Sequence, residues 1–165
     1  MALKTDMDDH IALVYVIGTH QDGPVKIGLT SQIVSRVLTL QIGNPDRLKI
    51  FGARFASKVR NDTIRTPSLR ACFRFGAEAL ERLVHAQLDE FDLRLIGEWF
   101  DISAKEALQV IEKVSQKEGI RCVGLEHLAG ADISGRADAA MGAVHNKLLH
   151  EAFAIQTYIH QHNNA

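Results

Sequence analysis

Five side chains stand out for the chemistry they could do: Tyr15, Lys26, Arg36, Glu81 and His85. A guanidinium presents a planar fork of donors matched to phosphate oxygens, and a carboxylate presents hard oxygens to a hard cation. A tyrosine hydroxyl donates hydrogen bonds, and it becomes a base only where nearby positive charge favours its phenolate over a free pKa of about 10. Glu81 and His85 are four residues apart in ALERLVH, so on a helix they share a face one turn from each other. Taken alone, that spacing describes an ordinary surface pair. A second basic group, Lys58, Arg60, Arg65 and Arg70, lies in an aperiodic stretch from Ala56 to Arg70 whose single acid is Asp62. Many basic loops are merely solvated, but a long irregular insert in a compact domain is often functional. Clustered arginines and lysines are also the electrostatic footprint of phosphate contact.

The elements that must position these groups follow from periodicity. Leu13, Tyr15 and Ile17 alternate with Val14 and Val16, and Val25, Ile27 and Leu29 alternate again after a polar run closed by Gly23-Pro24. The pattern predicts a hairpin with Tyr15 and Lys26 on the same face of its sheet. Thr30 or Ser31 is placed to cap a following helix, with Ile33, Val34, Val37 and Leu38 on its buried face and Arg36 on the other. Leu48 to Phe55 reads as a third strand. Ala77 to Phe91 reads as a helix whose apolar stripe is Leu80, Leu83, Val84, Leu88 and Phe91, with Glu81 and His85 at its margin. Gly97 to Ile102 reads as a short strand, with Trp99 expected to pack in the core. Ser103-Ala104-Lys105-Glu106 is a capping box that starts a helix stopped at Gly119, and Ile120 to Val123 could add one more strand.

In their order along the chain these segments resemble the GIY-YIG nuclease superfamily, and within it the branch of phage T5 Orf172-like and MUG113-like domains. Val14-Tyr15-Val16 and Lys26-Ile27-Gly28 stand where that superfamily has its Gly-Ile-Tyr-like and Tyr-Ile-Gly-like motifs. Arg36 matches the family arginine, Glu81 the family glutamate, and Gly97-Glu98-Trp99-Phe100 the closing motif of the branch. The resemblance covers roughly Ile11 to Ile102. It implies a DNA endonuclease hydrolysing phosphodiesters with one divalent ion, Mg²⁺ or another such as Mn²⁺, held by Glu81. Arg36 would hold a non-bridging phosphate oxygen, and Tyr15 would orient or deprotonate the attacking water, with Lys26 favouring its phenolate. His85 would bond Tyr15 or a metal-bound water, or brace the site. Lys26 replaces the superfamily's commoner tyrosine, as it often does in this branch. The competing reading is a non-catalytic DNA-binding domain on the same fold.

Composition bounds these readings. At 165 residues the chain holds one domain, or a domain plus an appendage. A formal net charge of −1 gives the whole molecule no field for nucleic acid, so any affinity must come from local patches. Cys72 and Cys122 show no metal-ligand spacing and read as structural thiols of a reducing compartment. No apolar run has the length of a signal peptide or a membrane span, and a cytoplasmic protein is expected. The expected fold is α+β: a small antiparallel sheet of about three strands flanked by helices over residues 11–102, then a helical extension over 103–165. Its long amphipathic helix, from about Ala137 to His160, needs a partner, either the domain or a second copy. His145, His150, His160 and His162 are spaced onto different helical faces and describe a solvated surface rather than a metal site.

Overall fold

The computed structural model describes residues 12–58 and 69–124. In chain order these form β1 (Leu13–Gly18), β2 (Val25–Thr30), α1 (Ile33–Gln41), β3 (Lys49–Ser57), α2 (Leu69–Glu90), β4 (Arg94–Ile96), β5 (Trp99–Phe100), α3 (Ala104–Lys117) and β6 (Arg121–Gly124). The α+β class is as expected, but the sheet is larger than three strands. Six strands lie in the order β4-β5-β2-β1-β3-β6, each antiparallel to its neighbours. Strands β5 and β6 correspond to the short-strand readings at Gly97 to Ile102 and Ile120 to Val123, whereas β4, three residues long, is too short to show a period of its own.

The hairpin forms as its alternation predicts, with Tyr15 across from Gly28 and Ile17 across from Lys26. Directly opposed residues share a face, so Tyr15, Lys26 and Gly28 do too. Strand β1 lies between β2 and β3, and all six of its residues are buried. On one face Val14, Val16, Val25 and Ile27 meet Leu80, Val84 and Leu88 of α2 and Ala107, Ile111 and Val114 of α3. Leu13, Tyr15 and Ile17 belong to the opposite face, and with Ile33 and Val37 of α1 they are buried outside that cluster.

Helix α2 begins at Leu69, two turns before the position expected from periodicity. Gly76 masked this start, because a glycine inside a helical pattern reads as a breaker. Its role is close approach: a Cβ there would stand 2.4 Å from the Ala56 carbonyl oxygen, so only glycine lets α2 cross the end of β3 at this distance. Arg70 therefore sits in the first turn of a helix and not in a loop. Phe91, assigned to the buried stripe, is exposed beyond the end of α2.

Helix α3 is capped as the sequence foretold, the Ser103 hydroxyl accepting from the Glu106 N–H at 3.2 Å, and Gly119 follows it with φ +66°. At α1 the residue before the helix is Gln32, whose own side chain makes no cap; Thr30 Oγ1 accepts from the Gln32 N–H at 3.0 Å. Helix α3 packs into the core and β6 pairs with β3, so residues 103–124 are continuous with the sheet. The long C-terminal helix with its histidines and any pairing of two copies lies outside the described residues, as do Arg60 and Arg65. No helix among the described residues is long and apolar enough to cross a membrane. Both cysteines are free thiols, Cys72 buried and Cys122 partly so.

Candidate active site

Strand β2 carries the site because its outer edge is only partly covered. The short strand β5 pairs with Val25 and Lys26 and then ends, leaving Ile27 at an open edge. Two other elements satisfy that residue: its N–H donates to the Glu98 carbonyl at 3.0 Å, and its carbonyl accepts from His85 Nε2 at 2.8 Å. A buried edge left unpaired would cost about 1–3 kcal/mol per group, so both bonds tie their elements to β2. One brings Glu98 alongside; the other brings α2, and with it Glu81, one turn from His85.

The side chains that gather there are Tyr15, Lys26, Arg36, Glu81, His85 and Glu98. Lys26 Nζ lies 2.9 Å from Glu98 Oε2. Gly28 makes room for the tyrosine: a Cβ at that position would be 2.3 Å from the Tyr15 hydroxyl oxygen and 3.0 Å from Glu98 Oε2. The Tyr15 hydroxyl and the Glu98 carboxylate are therefore neighbours above the bare backbone of Gly28. Arg36, exposed on α1, is near enough to act electrostatically on Tyr15.

The electrostatics correct one expectation. Burial, with help from the Glu98 carboxylate, pushes Tyr15 up to about 12, against the opposing pull of Arg36. Lys26 was expected to favour the phenolate, but its charge is engaged by Glu98. Tyr15 is thus a protonated hydroxyl at neutral pH, fitted to donate a hydrogen bond. Burial, the Glu98 charge and a shared hydrogen bond with Glu98 push Glu81 up to about 7, only partly offset by Lys26. Burial also lowers His85, so at neutral pH it is an uncharged ring. Its Nδ1, 3.9 Å from Glu81 Oε1, then forms no ion pair with that carboxylate.

Glu81 and Glu98 are thus two partly buried carboxylates that share a hydrogen bond, with Lys26 paired to Glu98. Hard carboxylate oxygens in such a setting suit a divalent ion of the magnesium class, which accepts one or two protein carboxylates and keeps several waters. Among the described residues no group of three or more His, Cys, Asp or Glu side chains converges, so this donor set is short of the three protein ligands that catalytic zinc centres use.

The charge pair makes a measurable prediction. Because Glu81 has a folded pKa near 7 against 4.5 for the free side chain, the folded state holds more protons than the unfolded one between those values. Its contribution therefore costs stability as pH rises through that window. Glu81→Gln should remove about 1–3 kcal/mol of that loss between pH 5 and pH 7.5, read as the difference between the urea unfolding curves of the two proteins in EDTA. His85, with its pKa lowered, acts in the opposite sense but is present in both. Parallel pH dependences would show that Glu81 is not strained in this way.

The structure brings together all five residues singled out for catalysis. It does not do so for the basic insert: Lys58 follows β3, two places from β2 in the sheet, its N–H bonded to the Cys72 carbonyl at 3.1 Å. Glu98 is the site residue that sequence reasoning passed over. Its signal was its place in Gly97-Glu98-Trp99-Phe100, where the pairing of Trp99 with Lys26 brings it beside the lysine.

The antiparallel sheet, its tyrosine-bearing hairpin and the glutamate-bearing helix make an α+β domain. The chain belongs to the T5orf172 domain family, whose model matches residues 12–115, from the first strand through most of α3. No curated protein and no solved structure matches the chain.

Proposed function

We propose that the protein is a divalent-metal-dependent DNA endonuclease of the GIY-YIG type, hydrolysing phosphodiesters at the outer edge of β2. The observation that carries this reading is the meeting of Tyr15, Lys26, Arg36 and Glu81 around Gly28 and Glu98, with two carboxylates held in contact. Membership of a nuclease and DNA-binding domain family supports it. A magnesium ion bound by Glu81 would lower the pKa of a coordinated water and offset charge on the phosphorane-like transition state.

The chain's own residues do the rest. The Arg36 guanidinium takes a non-bridging phosphate oxygen. Tyr15, protonated, orients the attacking water through its hydroxyl instead of deprotonating it. Lys26 holds Glu98 in place and tempers its charge. His85 braces α2 against β2, keeping Glu81 beside Glu98. Lys58 and Arg70, with Arg60 and Arg65, would supply phosphate contacts outside the reacting centre. The engaged Lys26 and the protonated Tyr15 also keep a second reading open: a DNA-binding domain without catalysis.

Supercoiled plasmid DNA titrated with Mg²⁺ or Mn²⁺ separates the two. The endonuclease reading expects nicked circles whose yield saturates with metal and vanishes in EDTA. Salt-dependent retention of intact plasmid at every metal concentration would establish the second reading in its place.

A further inference from the structure

The β4–β5 hairpin carries a feature that phosphodiester chemistry alone does not use. Ile96 pairs with Trp99, and Trp99 pairs with Lys26, so the three side chains stand in a row on the Tyr15 face of the sheet. Trp99, expected in the core, is only half-buried; Phe100, on the opposite face with Val25, is the residue that packs inside. Ile96 is 75% exposed and Leu95 56%. Large apolar side chains at the tip of a hairpin, contiguous with a half-open indole, form a patch that calls for a partner.

The hairpin is held rigid. Gly97, with φ +54°, opens the two-residue turn. The Arg94 guanidinium grips the Asp89 carboxylate at 2.7 and 3.0 Å, donates to the Gly97 carbonyl and lies 4.9 Å over the Phe100 ring. A surface fixed in this way loses little conformational freedom when it binds.

We infer that the Ile96–Trp99 face is a platform that receives a nucleobase beside the phosphodiester that Arg36 holds at the edge of β2. The inference rests on the nucleic-acid reading given above. Two strand spacings, roughly 10 Å, separate Ile96 from Lys26 across the sheet, with Trp99 between. A phosphate held at the β2 edge thereby sets an adjoining base against the indole, and Ile96 gives that base an apolar boundary. Stacking on an aromatic ring is indifferent to sequence because every base has a π-face. A second copy of the chain fits this patch poorly. Strand β4 offers an edge of three residues, too short for a stable ladder, and its Arg94 is already engaged.

The chain has one tryptophan, so its fluorescence reports Trp99 alone. In EDTA, saturating the full-length protein with a short single-stranded oligodeoxynucleotide should quench that emission and shield it from acrylamide, whereas inorganic polyphosphate should leave it unchanged. Ile96→Ser, at an exposed position, should weaken oligonucleotide binding by roughly tenfold without altering its salt slope, as loss of an uncharged contact requires. Anisotropy of a labelled oligonucleotide measures binding independently. Binding with no change in Trp99 emission would overturn the platform while sparing the nucleic-acid reading, and no binding at all would overturn both. Quenching that tracks protein concentration without DNA would overturn it in favour of self-association.

Discussion

Replacing Glu81 by glutamine is expected to reduce metal-dependent cleavage by about 10³-fold or more while DNA binding persists. Glutamine keeps the length of the side chain and the packing of Leu80 and Val84 beside it, so α2 stays in place. What disappears is one of two carboxylates. In the native site Glu81 and Glu98 face a single lysine, and the surplus negative charge is what a cation answers. With glutamine at position 81, Lys26 and Glu98 form a neutral pair and the surplus is gone. DNA binding should hold or strengthen slightly, because a negative charge near the phosphate has been removed. Plasmid nicking and oligonucleotide anisotropy measured on one preparation give both readings. The native protein should melt at a higher temperature when Mg²⁺ is added, and the variant should not. Near-native nicking by the variant would dismiss Glu81 as a metal ligand.

How much of this could be read beforehand depended on whether a local signal existed. The β1–β2 hairpin has one, since alternation over two strands and a Gly-Pro turn leave little choice, and the shared face of Tyr15 and Lys26 follows from it. The capping of α3 by Ser103 is local in the same way. The start of α2 was hidden because Gly76 serves a tertiary contact with Ala56, and tertiary need overrides propensity. Strand β4 exists through its pairing with β5, which no short window of sequence reveals. The orientation of Trp99 and Phe100 is of this kind. One of two adjacent aromatic residues must face inward, and only the register against Val25 and Lys26 selects Phe100.

The site divides along the same line. Tyr15, Arg36 and Glu81 were legible as residue types at matching positions. Their electrostatic states were not. Lys26 looked like a free charge beside Tyr15 until β5 placed Glu98 within 2.9 Å of it. Burial of Tyr15 beneath neighbours from several elements is likewise a property of the assembled fold, and it reverses the sign of the shift that a phenolate mechanism requires. Burial is the larger cause at both Tyr15 and Glu81, and the Glu98 charge adds to it at each.

The sharpest consequence falls on Tyr15 itself. Tyr15→Phe deletes only the hydroxyl and leaves the ring packed over Gly28, so folding should change little and the thermal melt should stay close to that of the native protein. If the hydroxyl orients the attacking water, cleavage should fall by roughly 10²-fold with substrate binding unchanged, the pattern of an interaction made during reaction. The pH profile then distinguishes the two ways a tyrosine could serve. A phenolate base with its pKa near 12 would make the native rate climb about tenfold per pH unit through the neutral and mildly alkaline range. A protonated, orienting hydroxyl adds no such slope there, and the native rate should level off above pH 8 while the Phe variant runs parallel beneath it. A rate that keeps climbing to pH 10 in the native protein, and does not climb in the variant, would reinstate Tyr15 as the base. Near-native cleavage by the variant at every pH would remove Tyr15 from the mechanism.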